Sequence, residues 1–226
     1  MPVSRRSLAL AGAAGVLALG GVALVAQAPE SPAAAAEPTP AAPAAQAPSG
    51  TDPRMAERSL GRAEAPATVI QYFSLTCSHC AAFHRDTFPR IKSELIDTGR
   101  MRMVFRDFPL DQLALAAAAV ARAMPPERYE AFVATLLGSQ DRWAFNRQAD
   151  PAVEIAKLAA FAGMDQAAVT AALTDRDLQR GILDGRLRAE QEFHVNSTPT
   201  FIFGSRVVPG AIPFDRFAEL VRETTG

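Results

Sequence analysis

The sequence predicts an α/β domain in which a βαβ unit is followed by a long helical block and closed by a hairpin and a helix. Three observations predict it. A β-branched and aromatic run, "PATVIQYFSL" at 66–75, is followed by a helical stretch and then by "RMRMVFRDFPL", whose alternation marks a strand at 101–106. From Asp111 to Phe193 the apolar spacing is helical throughout. After it, "TFIFG" and "RVVPG" flank Gly204-Ser205, and Pro213 opens an amphipathic stretch.

The elements follow in order. A helix is expected from Cys77 to about Asp97, ending at Gly99, with a kink at Pro89. Strand, helix and strand in that order suggest parallel pairing. "DQLALAAAAVARAM" ends at Pro125-Pro126, and "ERYEAFVATLLGSQ" follows. Asp150-Pro151 supplies an N-cap and a first-turn proline for "AVEIAKLAAFAG", which stops at Gly163. Asp165 opens "QAAVTAALT", and a last helix of the block runs from about Asp177 toward Phe193, with Gly181 and Gly185 as points of close packing. In the C-terminal helix Phe214, Phe217, Leu220 and Val221 share a face.

The N-terminal residues 1–50 have another character. Arg5 and Arg6 precede an uncharged Ala/Gly/Leu/Val-rich run from Ser7 to Ala28. A positive start and an apolar run make an export signal, and the run is also long enough to span a bilayer. Ser4-Arg5-Arg6 partly resembles a twin-arginine signal. Residues 28–50 are almost all Ala and Pro, which cannot build a core and make a semi-rigid linker. The expected division is an export signal or membrane anchor at 1–28, a linker at 29–54, and a domain at 55–226 with helices inserted at about 111–190. The rest is long enough to bury a core without staples. With 23 Lys and Arg against 24 Asp and Glu, the net charge is −1, and no basic stripe points to nucleic acid or a membrane surface.

The only two cysteines are Cys77 and Cys80, separated by Ser78 and His79. A disulfide staple closing so short a loop removes little chain entropy. A metal site has material in Cys77, His79, Cys80 and His84, but His79 would point away from a site closed by its neighbours. His84 and His194 read as surface histidines. A redox pair fits best. A helix starting beside Cys77 favours a thiolate there through its free N–H groups and dipole, and His79 adds positive charge when protonated. Cys80, one turn on, faces inward, so Cys77 is expected to be an exposed attacker and Cys80 a buried resolver.

With the cysteines so placed, the chain resembles the DsbA-like branch of thioredoxin-fold thiol–disulfide oxidoreductases over residues 55–226. The resemblance rests on "FSLTCSHC", on the helical block after the second strand, and on "NSTPTFIFG". It implies a thioredoxin fold with an inserted helical domain, Cys77 and Cys80 as the catalytic pair, and Ser78 and His79 as the residues that tune the thiolate. It implies a cis Pro199 after Thr198 opposite the pair, forming a substrate groove. One position departs: Gln71 stands where relatives often carry a buried acid, so Glu192, Asp107 or water would have to take the Cys80 proton.

The resulting expectation is an exported, periplasmic oxidoreductase that passes its Cys77–Cys80 disulfide to cysteine-containing exported proteins and is reoxidised by a membrane redox partner. It needs no metal, no nucleic acid and no cofactor beyond the redox-active disulfide, and residues 7–28 serve as signal or tether. The alternatives are a periplasmic reductase or isomerase and, of another class, a metal-binding or adaptor module using the same groove.

Overall fold

The computed structural model describes residues 52–225. The signal and most of the linker expected for 1–54 therefore lie outside the described residues, as does Gly226. Asp52, Pro53 and Arg54, assigned to the linker, belong to the fold. Asp52 caps a 3-10 turn at Pro53–Met55, and Arg54 pairs with both Asp52 and Asp175.

Five strands form one sheet in the order β1-β3-β2-β4-β5. They are β1 (Arg58–Leu60), β2 (Ala67–Phe73), β3 (Met101–Asp107), β4 (Thr200–Phe203) and β5 (Arg206–Pro209). Strands β2 and β3 are parallel, as their order predicts. The pairs β2–β4 and β4–β5 are antiparallel, the latter closed through Gly204 at φ 58. Strand β1 is not anticipated by the sequence, because its three residues lack β-branched character. It pairs antiparallel with β3 and covers an edge that would otherwise be open.

The helices are α1 (Ser78–Asp86), α2 (Phe88–Ile91), α3 (Gln112–Ala123), α4 (Pro126–Gly138), α5 (Gln140–Trp143), α6 (Pro151–Phe161), α7 (Gln166–Thr174), α8 (Arg176–Phe193) and α9 (Phe214–Glu223). The single kinked helix expected over 77–97 is in fact α1, α2 and a π-helical turn at Lys92–Ile96. Pro89 lies in the first turn of α2, where its missing N–H has no partner to lose. Asp111, Asp150 and Asp165 cap α3, α6 and α7 through their carboxylates. Gly181 allows close approach, since a Cβ there would lie 3.3 Å from Met55; Gly185 faces only Arg188 at 3.8 Å, so it is not a packing glycine.

The sheet buries both faces. Val69, Gln71 and Phe73 of β2 point to one side, Ile70 and Tyr72 to the other. The first side meets α1 and α9, in a core that continues into the helical block. The second is covered by α8 through Ala189 and Phe193.

A buried ion pair ties the block to the sheet. Arg122 of α3 donates from Nε to Asp107 at the end of β3 at 2.5 Å, and the Tyr129 hydroxyl of α4 donates to the same carboxylate at 3.4 Å. Arg122 also donates to the Ala56 carbonyl at 2.9 Å, and Arg58 of β1 donates to the Arg122 carbonyl at 3.2 Å. Removing one partner strands the other charge in the core. Arg122→Met should therefore lower stability by about 3–5 kcal/mol in urea unfolding, and adding Asp107→Leu should restore much of it. A single-variant loss below about 1 kcal/mol would show that the pair does not tie block to sheet.

Candidate active site

The site is built where β2 ends. The chain turns over Ser74, whose carbonyl accepts the Cys77 N–H at 3.2 Å, and α1 begins at Ser78. Cys77 is the N-cap, with extended backbone (φ −84°, ψ 116°), and its sulfur accepts the Cys80 N–H at 3.3 Å. That place normally holds a short oxygen side chain; a thiolate fills it because it too is an acceptor facing unpaired N–H groups.

The turn is held from outside. Gln140 of α5 donates its amide to the carbonyls of Leu75 at 2.7 Å and Cys77 at 3.1 Å, and it is buried. The Thr76 hydroxyl donates to Asp111 at 2.7 Å, and the Leu110 N–H reaches the Ser74 hydroxyl at 3.3 Å. Gln140 is the functional residue the sequence does not reveal, since nothing in its local pattern separates it from a surface glutamine.

Opposite the cysteines, the Thr198–Pro199 bond is cis. As a thiol, Cys77 donates to the Thr198 carbonyl at 3.3 Å. The Pro199 carbonyl accepts the Gly210 N–H at 2.7 Å, and the Thr200 hydroxyl donates to the Ser197 carbonyl at 2.7 Å. Pro199 and Thr198 are buried.

Both cysteines are free thiols. Cys80 is fully buried, as expected, but Cys77 is only 8% exposed, so the expected open attacker is nearly covered. The reason is its place as cap: the sulfur turns inward over the helix end and under Thr198. Its pKa falls to about 5, chiefly because the Cys80 thiol donates a hydrogen bond to it. Burial opposes this, while the Thr198 hydroxyl and the N–H groups of Cys80 and His79 assist. The Thr198 hydroxyl lies close enough to favour the thiolate, yet it closes no hydrogen bond of its own. Cys80 moves strongly upward, first through burial and then through its hydrogen bond to Cys77.

The other expected residues fall into place unevenly. Ser78 and His79 are exposed, and the backbone N–H of His79 favours the Cys77 thiolate. His194 is exposed, but His84, expected at the surface, is buried against Phe88 at 4.8 Å between ring centres. Glu192 is exposed, and Asp107 is held by Arg122, so neither lies free as a base. Among the described residues no group of three or more His, Cys, Asp or Glu is arranged to hold a metal ion.

The family model described as Thioredoxin matches residues 54–223, nearly all of the described chain. The structure also overlays a double-alanine variant of alpha-DsbA1 from Wolbachia pipientis with a TM-score of 0.69 and 30% identity, over 75% of this chain and 90% of that one.

The chain belongs to the thioredoxin family, in its DsbA branch.

BdbD from Bacillus subtilis, in its oxidised form, shares the fold of this DsbA-like chain with a TM-score of 0.65 at 19% identity, over 75% of this chain and 92% of that one. A Rickettsia prowazekii protein named "Putative protein-disulfide oxidoreductase RP025" is 36% identical over 90 residues, 39% of this chain and 33% of its own length. The chain thus spans about a third of the length of such curated relatives.

Thiolate absorbance of the reduced protein should titrate with a midpoint near pH 5, and Cys77→Ser should abolish that transition. Between that value and the ordinary thiol range the unfolded chain holds a proton that the folded chain has lost. Stability of the reduced form relative to the oxidised form should therefore rise with pH across this window and be lost as pH falls through about 5. A flat difference from pH 5 to 8 would contradict a folded-state thiolate. Gln140→Leu strands two carbonyls and should cost about 1–3 kcal/mol in urea unfolding; a change within about 0.5 kcal/mol would remove it as the clamp.

Proposed function

We propose that the protein is an exported thiol–disulfide oxidoreductase that oxidises cysteine-containing exported proteins during their folding. The observation that carries this reading is the opposition between the two cysteines, Cys77 lowered to about 5 and Cys80 raised. A thiolate stabilised at neutral pH stabilises the reduced protein, so the disulfide is readily given away.

In the forward reaction a substrate thiolate attacks Cys77 of the Cys77–Cys80 disulfide. That S–S bond breaks, Cys80 leaves with the electron pair and takes up a proton, and a mixed disulfide joins Cys77 to the substrate. A second substrate thiolate then attacks the substrate sulfur and expels Cys77. Its low pKa makes Cys77 the better leaving group. The covered position of Cys77 sets how the substrate arrives. The incoming chain takes the place of the thiol's contact with the Thr198 carbonyl, which then accepts a substrate N–H in the manner of an added strand.

The N-terminal pattern supports export to the periplasm, with residues 7–28 as signal or tether, and a membrane redox partner supplies the oxidant. Among the described residues no helix is long and apolar enough to cross a membrane.

Equilibration of the isolated domain with glutathione tests the direction of flow. A strongly oxidising DsbA lies at roughly −120 mV and thioredoxin at roughly −270 mV, and this pair is expected near the first. A value near the second would replace the oxidase reading with the reductase reading.

A further inference from the structure

Beside the cysteine pair lies a groove that thiol exchange, as described, leaves unused. It is an open cavity of about 410 Å³ between the loop after β3 and the end of α8. Phe108 and Val195, both buried, line it together with Leu110, which is 46% exposed. Arg186 ties the two sides together. Its Nη1 donates to the Pro109 carbonyl at 2.6 Å, its Nε donates to Glu190 at 2.8 Å, and its guanidinium lies over the Phe108 ring at 4.9 Å. His194 closes α8 in the left-handed conformation (φ 53°), and the Val195 N–H returns to the Ala189 carbonyl at 3.2 Å. Both walls are thus fixed by hydrogen bonds within the chain, so a ligand entering the groove has little left to order.

The lining and the position of the groove say what would enter it. Arg186 and Glu190 answer each other's charge, so neither an acidic nor a basic side chain meets an unpaired ion there. What remains on offer is apolar surface, and it continues along α8. Leu183 and Leu187 are 43% and 50% exposed, and with Glu190 they follow the i, i+4, i+7 spacing of one helix face. The groove also adjoins the reacting sulfur on both sides. The Leu110 N–H reaches the hydroxyl of Ser74, three residues before Cys77. Asn196, which lines the groove, stands two residues before Thr198, whose carbonyl contacts the Cys77 sulfur at 3.3 Å. A substrate strand pairing at Thr198 advances about 3.3 Å per residue, and alternate side chains share a face. A side chain about two or three residues from the substrate cysteine therefore arrives at the groove.

We propose that this groove is a substrate subsite for one large apolar side chain, aliphatic or aromatic, carried about two or three residues from the cysteine of an incoming polypeptide. This rests on the redox reading of the pair and names the substrates it favours. Large apolar side chains are mostly buried once a protein has folded. A groove that takes one next to a free cysteine therefore selects chains that have not yet folded. Phe108, Leu110 and Val195 supply the contact, and Arg186 is a positioning residue that holds the loop of Leu110 against α8.

The test uses the oxidised full-length protein and reduced synthetic peptides with one cysteine in a Gly/Ser background. The residue about two or three positions before or after the cysteine is set to Gly, Leu, Phe, Glu or Lys. The second-order rate constant for reduction of the Cys77–Cys80 disulfide is read by acid quench and alkylation. Each value is divided by the rate of the same peptide with a small aromatic disulfide, which removes its intrinsic thiol reactivity. Leu or Phe on one side of the cysteine should react about tenfold faster than Gly, and Glu and Lys should not. Leu110→Asp, which puts a charge on the wall, should reduce that preference to within about twofold. If Leu110→Asp does not fold, Leu110→Ser takes its place. A wild-type protein that treats Gly, Leu and Phe alike overturns the proposal, as does one that prefers Glu or Lys. So does a variant that keeps the preference, including one that slows all peptides equally. These outcomes leave the oxidase reading standing, since that depends on the potential. A protein whose disulfide no peptide reduces lacks the redox chemistry itself, and the subsite falls with it.

Discussion

Everything in this site depends on one arrangement: a negative sulfur at the start of a helix, nearly shut off from water, receiving hydrogen bonds from the residue three positions on. Cys77 is almost covered, and a covered charge is costly unless donors replace water. The donors are the Cys80 thiol, the Cys80 N–H at 3.3 Å and the N–H of His79. They come from the helix start, where N–H groups have no partners within the helix and the dipole is positive. Two cysteines two residues apart thereby become chemical opposites. One sits outside the helix as its cap, the other inside its first turn with the sulfur in the core. The hydrogen bond that stabilises the first also keeps the second protonated, adding to the burial that chiefly raises it.

The remaining architecture serves to keep that cap in place. A cap works only while the backbone before it stays extended, and the three residues ahead of Cys77 have no ladder partners once β2 has ended. Gln140 supplies partners for Leu75 and Cys77, and Asp111 both caps α3 and accepts from Thr76. Both come from the helical block. The block is thus more than a cover for the sheet: it reaches into the turn that carries Cys77. The Asp107–Arg122 pair, at the base of the block, holds α3 against β3 and so fixes where Asp111 and Gln140 arrive.

What could be read from the sequence was local. The CxxC spacing, the strand before it, the parallel partner, the capping aspartates and the hairpin are all decided within a few residues, and the structure contains each of them. What could not be read depends on residues far apart in sequence. Gln140 acts on Leu75 across sixty-five positions, and Arg122 acts on Ala56 across sixty-six. The burial of Cys77 escaped for the same reason, because Thr198, which covers it, comes 121 residues later. His84 was misplaced by residue type: histidine is usually exposed, and only its position one turn after Cys80, facing Gln71, shows that this one is enclosed. His79 erred the other way. Its place between the cysteines suggests a ring near the sulfur, whereas the contribution the structure shows comes from its backbone N–H and the residue is exposed.

The neutrality of the layer under α1 completes the electrostatics. A carboxylate at position 71 would place a second negative charge on the buried side of the helix, and like charges in a low dielectric raise each other's pKa. Gln71 and His84 carry no charge at neutral pH, since burial keeps the imidazole in its neutral form. The thiolate of Cys77 therefore faces only dipoles and donors from below, and its stabilisation is not diluted by a competing anion. A neutral layer also leaves no ionised side chain at these two positions beneath Cys80. The same substitution of amide for acid favours the reduced state at Cys77.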